Sequence, residues 1–349
     1  MPSKDDLRYF QSMPLSVKVR MTQQRIREWV REFGENGVYV SFSGGKDSTV
    51  LLHLVRELYP DVEAVFVDTG LEYPEIRCFV RTFDNVTVLF PKMRFDEVIR
   101  KYGYPIISKS VSECVGKGRI TIERGDITSS YRLKRLRGEI VKDGKKSMFN
   151  CEKYEPLLYA DFRISNKCCC IMKESPSKAF ARKTGKKQIT GQMAVESLLR
   201  TQVWLKNGCN GFSMKNPTSN PLSFWTEQDV LAYIKQNCIP IAPVYGDIVE
   251  SDEDGIDYDQ NLFGDCAGSL HTTGCNRTGC IFCCFGCHLD KSPSRFEQLK
   301  KTHPKQYAYC LGGGAYDTDG LWKPTKEGLG MQHVFDELNN LYGDGFIKY

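Results

Sequence analysis

The stretch Gly37-Val38-Tyr39-Val40-Ser41-Phe42-Ser43-Gly44-Gly45-Lys46-Asp47-Ser48-Thr49-Val50-Leu51-Leu52 reads as a strand that runs into an anion-binding turn and on into a helix. Val38, Val40 and Phe42 alternate with smaller or polar residues, as a strand entering a core requires. Gly44-Gly45 lets backbone N–H groups approach an anion, because no Cβ stands in the way. Asp47, Ser48 and Thr49 suit the start of a helix, and Val50, Leu51, Leu54 and Val55 continue it at helical spacing. A helix N-terminus favours negative charge, and Lys46 adds a mobile cation. A Gly-Gly pair alone would mark an ordinary strand–turn–helix; the full Ser-Gly-Gly-Lys-Asp-Ser string selects nucleotide phosphate. The Gly-x4-Gly-Lys-Ser/Thr spacing of a Walker A loop is absent.

Working outward, Pro14 to Phe33 is expected to be a helix with Ile26, Trp29, Val30 and Phe33 on one face. Val62 to Val67 reads as a second strand, closed by Asp68-Thr69-Gly70-Leu71-Glu72-Tyr73-Pro74. Two strands joined by a helix make a βαβ unit, hence an α/β fold with a parallel twisted sheet and helices on both faces. Ligands of such sheets sit at the carboxyl ends of the strands, where Ser43 and Asp68 fall. Asp68 is open to a second reading, as a helix cap. Cys78 is expected to be a buried small residue. Asn85 to Phe90 reads as a third strand, and Phe95 to Tyr102 as a short helix.

The loop resembles that of the PP-loop ATP pyrophosphatase superfamily, and within it the phosphoadenosine phosphosulfate (PAPS/APS) reductase-like family. The resemblance implies an adenine nucleotide α-hydrolase-like fold. It also implies a nucleotide site built from Ser41, Phe42, Ser43, Gly44, Gly45, Lys46, Asp47, Ser48 and Thr49. Asp68-Thr69-Gly70 and the Gln188-Ile189-Thr190-Gly191 turn are similar to family motifs, which adds Asp68, Thr69 and Gly191 to the nucleotide site. Ser197-Leu198-Leu199-Arg200 matches a Ser-x-x-Arg string, so Arg200 is expected to bind a phosphate and, with Lys46 and Asp47, to act in catalysis. The reductases carry a further Arg after the glycine, where Gln192 and Met193 stand here. Asn220 to Ile234 is also family-like, and Thr226 is expected to cap a structural helix.

A second signal comes from thiols. Cys275, Cys280, Cys283, Cys284 and Cys287 lie within thirteen residues, too dense for a core. Cys280-x-x-Cys283 has the bite for two ligands on one metal centre. Lys167-Cys168-Cys169-Cys170-Ile171-Met172-Lys173-Glu174-Ser175-Pro176 resembles the cysteine-pair motif of the cluster-bearing APS reductases, with Met172 where Arg is usual. By that resemblance Cys168, Cys169, Cys280 and Cys283 hold a [4Fe–4S] cluster. Four thiolates also suit zinc, the second choice, because adjacent cysteines are awkward ligands for a tetrahedral site. Cys170, Cys275, Cys284 and Cys287 remain open as alternates or persulfide carriers. The sequence has no cysteine after Cys310, and the Glu-Cys-Gly-x-His string of the assimilatory reductases does not occur in it.

The chain has 349 residues, of which 41% are hydrophobic and 26% charged, as in ordinary globular proteins. No apolar run is long enough to span a membrane, and Met1-Pro2-Ser3-Lys4-Asp5-Asp6 does not read as a secretion signal. With fifteen cysteines this predicts a reducing, cytoplasmic setting. The net charge of +5 is concentrated: residues 109–146 hold eleven Lys/Arg against five Asp/Glu. Such an insertion suggests a polyanion, DNA or tRNA, although a charge run can equally be a solvated face. The expected organisation is an N-terminal helical segment (1–36), a nucleotide domain (37–249) with the basic insertion at 109–150, and a cysteine-rich portion (250–349) opened by the acidic stretch 250–259.

Three functions follow. The first is ATP-dependent sulfur transfer: MgATP on the loop, adenylation of a nucleic acid, and sulfur delivered from a cysteine desulfurase or other donor, similar to the reductase-like proteins of DNA phosphorothioation. The second is an APS or PAPS reductase making sulfite. The third is a redox-sensing nucleic-acid-binding module.

Overall fold

The computed structural model describes residues 2–125, 130–251 and 269–349. The acidic stretch beyond Ser251, residues 126–129 of the basic insertion and Cys266 lie outside the described residues.

In chain order the elements begin with α1 (Lys4–Gln11), α2 (Leu15–Phe33), β1 (Val38–Ser41), α3 (Lys46–Leu58), β2 (Ala64–Val67), α4 (Pro74–Val80) and β3 (Val86–Leu89). Next come α5 (Phe95–Tyr102), β4 (Ile106–Ile107), α6 (Lys109–Glu123), α7 (Tyr131–Leu136) and the hairpin β5 (Val141–Lys142) and β6 (Lys145–Lys146). They continue with α8 (Lys167–Cys169), α9 (Ser175–Thr184), β7 (Lys187–Ile189), α10 (Leu198–Asn207), β8 (Asn210–Gly211), β9 (Thr218–Ser219) and α11 (Glu227–Gln236). Last are β10 (Ile248–Glu250), β11 (Leu270–Thr272), β12 (Cys284–Phe285), α12 (Arg295–Thr302), α13 (Pro304–Leu311), β13 (Ala315–Tyr316), β14 (Trp322–Lys323) and α14 (Met331–Tyr342).

The chain divides into two compact units interleaved along the sequence. The first comprises residues 1–68, 72–90 and 176–279; the second comprises 69–71, 91–175 and 280–349.

The first unit holds a six-stranded sheet in the order β3-β2-β1-β7-β9-β8, parallel except for β8, which runs antiparallel to β9. This is the α/β fold with a parallel sheet that the βαβ pattern predicts. Strand β1 is central, with Val40 in register with Ala64 on one side and Ile189 on the other. Covered on both faces, it carries an almost unbroken buried run, Val38, Tyr39 and Val40. Helix α2 buries Ile26, Trp29 and Val30, as its spacing predicts, and Trp29 packs edge-on against Phe33 at 4.6 Å. Cys78 departs from expectation: it is exposed, because α4 turns Ile76, Phe79 and Val80 inward and Cys78 falls on the opposite face.

The second unit has no large sheet among its described residues; β4 pairs in parallel with β12, setting Ile106 beside Cys284. Gly118 on α6 lets Leu133 and Leu136 of α7 come close, and both leucines are fully buried. Val334, Phe335 and Leu338 of α14 face inward, with Phe335 against Phe296 of α12 at 4.9 Å.

Candidate functional site

In the first unit, Ser41 ends β1 and the chain turns through Gly44, with φ +71°, before α3 begins at Lys46. A Cβ at Gly44 would lie 2.7 Å from Val80 Cγ2 and 2.8 Å from Ile76 Cγ2, so only glycine fits there. Ser43 Oγ meets Ser48 Oγ at 3.0 Å, and Ser48 and Thr49 donate to the Gly45 carbonyl at 2.8 and 3.1 Å. These bonds hold the turn in shape. Phe42, expected at the nucleotide, packs its ring against Phe83 at 5.0 Å, so its side chain belongs to the core.

Lys46 is buried. Its Nζ donates to the Asn276 carbonyl at 2.8 Å, pairs with Glu227 at 3.0 Å and lies over the Tyr245 ring. Its backbone N–H donates to Tyr245 Oη at 3.1 Å, and that hydroxyl meets Thr278 Oγ1 at 2.5 Å. Burial pushes the Tyr245 hydroxyl up to about 12, so it stays protonated at any ordinary pH. Asp47 Oδ1 is buried without a hydrogen-bond partner among the described residues, and burial raises its pKa against the pull of Lys46. Gly191, at the end of β7, closes on this turn: its Cβ would stand 3.1 Å from the Asp47 carbonyl oxygen.

Arg200 pairs with Glu196, which Arg277 also approaches at 3.8 Å, and both guanidiniums act on Asp47. The loop, Gly191 and Arg200 are therefore brought together. Asp68 is bound by Arg77 at 2.9 Å, and Thr69 falls in the second unit, accepting from the Leu71 amide at 3.2 Å. Sequence reading missed Tyr245, Asn276, Arg277, Thr278, Glu227 and Glu196. Thr226 does cap α11, and its neighbour Glu227 is the first residue of that helix.

In the second unit, Cys168 and Cys169 stand with their sulfurs 3.9 Å apart. The Cys168 thiol is pushed up by its contact with Cys169, by burial, and by the sulfurs of Cys169, Cys283 and Cys280. Cys169 is drawn down by its bond with Cys168, and Lys109 and Lys173 add to the pull. Arg295, paired with Asp290 at 2.7 Å, donates to the carbonyls of Cys283 and Phe285 at 3.1 and 3.0 Å. Among the described residues no three Cys, His, Asp or Glu side chains are already drawn into a metal-binding arrangement. As a donor set, four cysteine thiols fit an iron–sulfur cluster: the sulfurs of Cys169, Cys280 and Cys283 all act on Cys168, and Lys109 and Lys173 act on Cys169. Of the other cysteines, Cys170 is exposed, Cys284 and Cys287 are buried, and Cys275 belongs to the first unit, hydrogen-bonded with Tyr73.

Several cations of the basic insertion are already paired with nearby carboxylates. Glu113 takes both Lys117 and Arg132, Arg137 faces Glu155 at 3.9 Å, and Lys146 pairs with Glu152 at 3.0 Å. Lys134, Lys142 and Lys145 remain exposed, beside exposed Val141, Met148 and Phe149. No helix among the described residues is long and apolar enough to cross a membrane.

Comparison with known proteins bears on the family of the chain. The family model of the phosphoadenosine phosphosulfate reductase domain matches residues 37–106 and 121–285. The chain is 27% identical over 221 residues to the adenosine 5′-phosphosulfate reductase of Staphylococcus haemolyticus, covering 62% of this chain and 68% of that one. It is 24% identical over 221 residues to the phosphoadenosine 5′-phosphosulfate reductase of Gloeobacter violaceus, covering 63% and 70%. A solved structure, the phosphate complex of the PAPS reductase from Candida auris, aligns with a TM-score of 0.37 at 15% identity, covering 70% of this chain and 91% of that one. The family model takes in the phosphate loop, Gly191, Arg200 and both cysteine pairs, and the chain belongs to the phosphoadenosine phosphosulfate reductase family.

Proposed function

We propose that this protein is an ATP-dependent sulfur-transfer enzyme that uses the Ser43–Thr49 loop to bind MgATP and activates a nucleic acid for sulfur incorporation. The observation that carries this reading is Asp47. Its buried carboxylate oxygen, without a partner at the head of an anion-binding loop, would repel a bare phosphate or sulfate. With Mg²⁺ between them the repulsion becomes an attraction, so the loop suits a metal-bound triphosphate.

In this scheme Lys46, the loop amides and Arg200 stabilise the charge that grows on the phosphates as an acceptor oxygen attacks the α-phosphorus and pyrophosphate leaves. The outer sulfur of a persulfide donor, such as that of a cysteine desulfurase, then attacks the activated centre and displaces AMP, and a second thiol cleaves the resulting S–S bond, forming a disulfide with the donor and leaving sulfur on the acceptor. Cys168, Cys169, Cys280 and Cys283 would hold the [4Fe–4S] cluster, which supplies electrons or a sulfide-binding site when present. The acceptor would meet the β5–β6 hairpin, where exposed Lys142 and Lys145 can reach phosphates and exposed Phe149 can stack on a base.

The second reading, an adenosine 5′-phosphosulfate reductase, is favoured by the named activity of the Staphylococcus relative. Anaerobically purified protein given MgATP, DNA or tRNA and a persulfide donor should release pyrophosphate, and Lys46→Ala should not. Sulfite formed from the phosphosulfate with thioredoxin, without pyrophosphate from ATP, would select the reductase. Nucleic-acid affinity that follows the oxidation state, with neither product formed, would select the sensor.

A further inference from the structure

The segment from Thr273 to Thr278 runs over the phosphate loop of the first unit. Its first half is pinned: the amides of Thr273, Gly274 and Cys275 donate to the carbonyls of Asp247, Tyr245 and Val244, each at 2.9 Å. Gly274 is needed for this, since a Cβ there would fall 2.3 Å from the Val244 oxygen. The second half lies on the loop itself. The Asn276 carbonyl takes the Lys46 ammonium at 2.8 Å, and Thr278 Oγ1 braces the Tyr245 hydroxyl that accepts the Lys46 amide. The two hydroxyls press directly on Gly45, whose Cβ would meet Tyr245 Oη at 3.3 Å and Thr278 Oγ1 at 3.4 Å.

These are the donors a phosphate needs: the first amide of α3 and the ammonium beside it. A phosphate and the strap cannot both have them. We propose that Asn276–Thr278 is an autoinhibitory strap that competes with nucleotide phosphates for Lys46, so that phosphate binding releases it. The strap leads through Gly279 straight into Cys280, one of the thiols of the second cysteine pair. Gly279 suits a hinge, because nothing lies within 4 Å of where its Cβ would be. Arg277 moves with the strap and would exchange Glu196 for the arriving phosphate.

The inference rests on the nucleotide reading above, and one experiment separates the two. Hydrogen–deuterium exchange of the whole protein is followed across residues 275–279 with MgATP, and in a parallel arm with adenosine 5′-phosphosulfate. Binding of each nucleotide is measured by calorimetry. Exchange in the strap should rise on binding, and Tyr245→Phe, which removes the competing hydroxyl, should bind about fivefold more tightly, one hydrogen bond's effect. Thr278→Val should act in the same direction. Binding with strap exchange unchanged or lowered, or variants that bind more weakly, would overturn the strap and leave the nucleotide site standing. No binding of either nucleotide, by wild type or variants, would overturn both.

Discussion

The Cα of Gly191 rests against the backbone of Asp47, leaving so little room that a Cβ would lie 3.1 Å from the Asp47 carbonyl oxygen and 3.4 Å from the Ser48 nitrogen. The segment just after β7 thus braces the first turn of α3, and a side chain at Gly191 would have to push that turn back. Gly191→Ala is expected to leave the protein folded while shifting the loop by a few tenths of an ångström. Roughly tenfold weaker MgATP binding should follow, because groups aimed at phosphate tolerate little displacement. Calorimetry beside an unchanged circular dichroism spectrum checks it; undiminished affinity would show that β7 does not position the loop.

Asp47 opposes stability. Burial raises its pKa above the ordinary 3.8, so the folded state holds its proton more tightly than the unfolded chain. The ionised form therefore costs stability, a cost absent below about pH 4 and fully present once pH exceeds the raised value. Asp47→Asn should stabilise the protein by about 1 kcal/mol at pH 8, with the gain shrinking toward pH 4, and should remove Mg²⁺-dependent nucleotide binding. Urea denaturation at both pH values tests the first part. A variant less stable than wild type at pH 8 contradicts it.

Lys18 of α2 reaches Asp229 of α11 at 2.7 Å, with side-chain exposures of 3% and 11%, and also donates to the Gln11 carbonyl. Asp229 is occupied twice, since it also closes the capping box with Thr226. Lys18→Met should cost about 3 kcal/mol by leaving a buried carboxylate without its cation. Thermal unfolding measures this, and a loss under about 1 kcal/mol would mean that water reaches the pair.

If Cys168, Cys169, Cys280 and Cys283 hold iron, anaerobic protein should be brown, with broad absorption near about 400 nm and about four irons per chain. Serine at any of the four should lower iron content, while Cys78→Ser, on the exposed face of α4, should not. A colourless preparation with one zinc per chain would point to a structural metal.

Much of this architecture is local and therefore visible in the residues themselves. The alternation in Val38–Phe42, the Gly44-Gly45 break and the apolar spacing after Lys46 each report backbone geometry within a few residues. So do the α2 face and the Phe95–Tyr102 helix, which appears with the expected bounds. The family itself was legible for the same reason: a loop, a Cys-x-x-Cys pair or a Ser-x-x-Arg string lies within a few residues of chain. Cys78 failed because helical spacing alone leaves the inward face open where four apolar and neutral residues share a short helix.

By itself, then, the sequence determined the strand, glycine turn and helix around Ser43–Thr49 and the parallel sheet behind them. The tertiary structure decided what surrounds them. Lys46 meets Asn276 across 230 residues and Tyr245 across 199, separations at which no spacing rule operates. It also decided that Phe42 belongs to the core, that Asp68 is taken by Arg77, and that Glu196 draws two arginines toward Asp47. A hydrogen bond or ion pair of this kind depends on where the folded chain returns, which packing of the whole unit sets; the residues that form it carry no mark of it in their own neighbourhood.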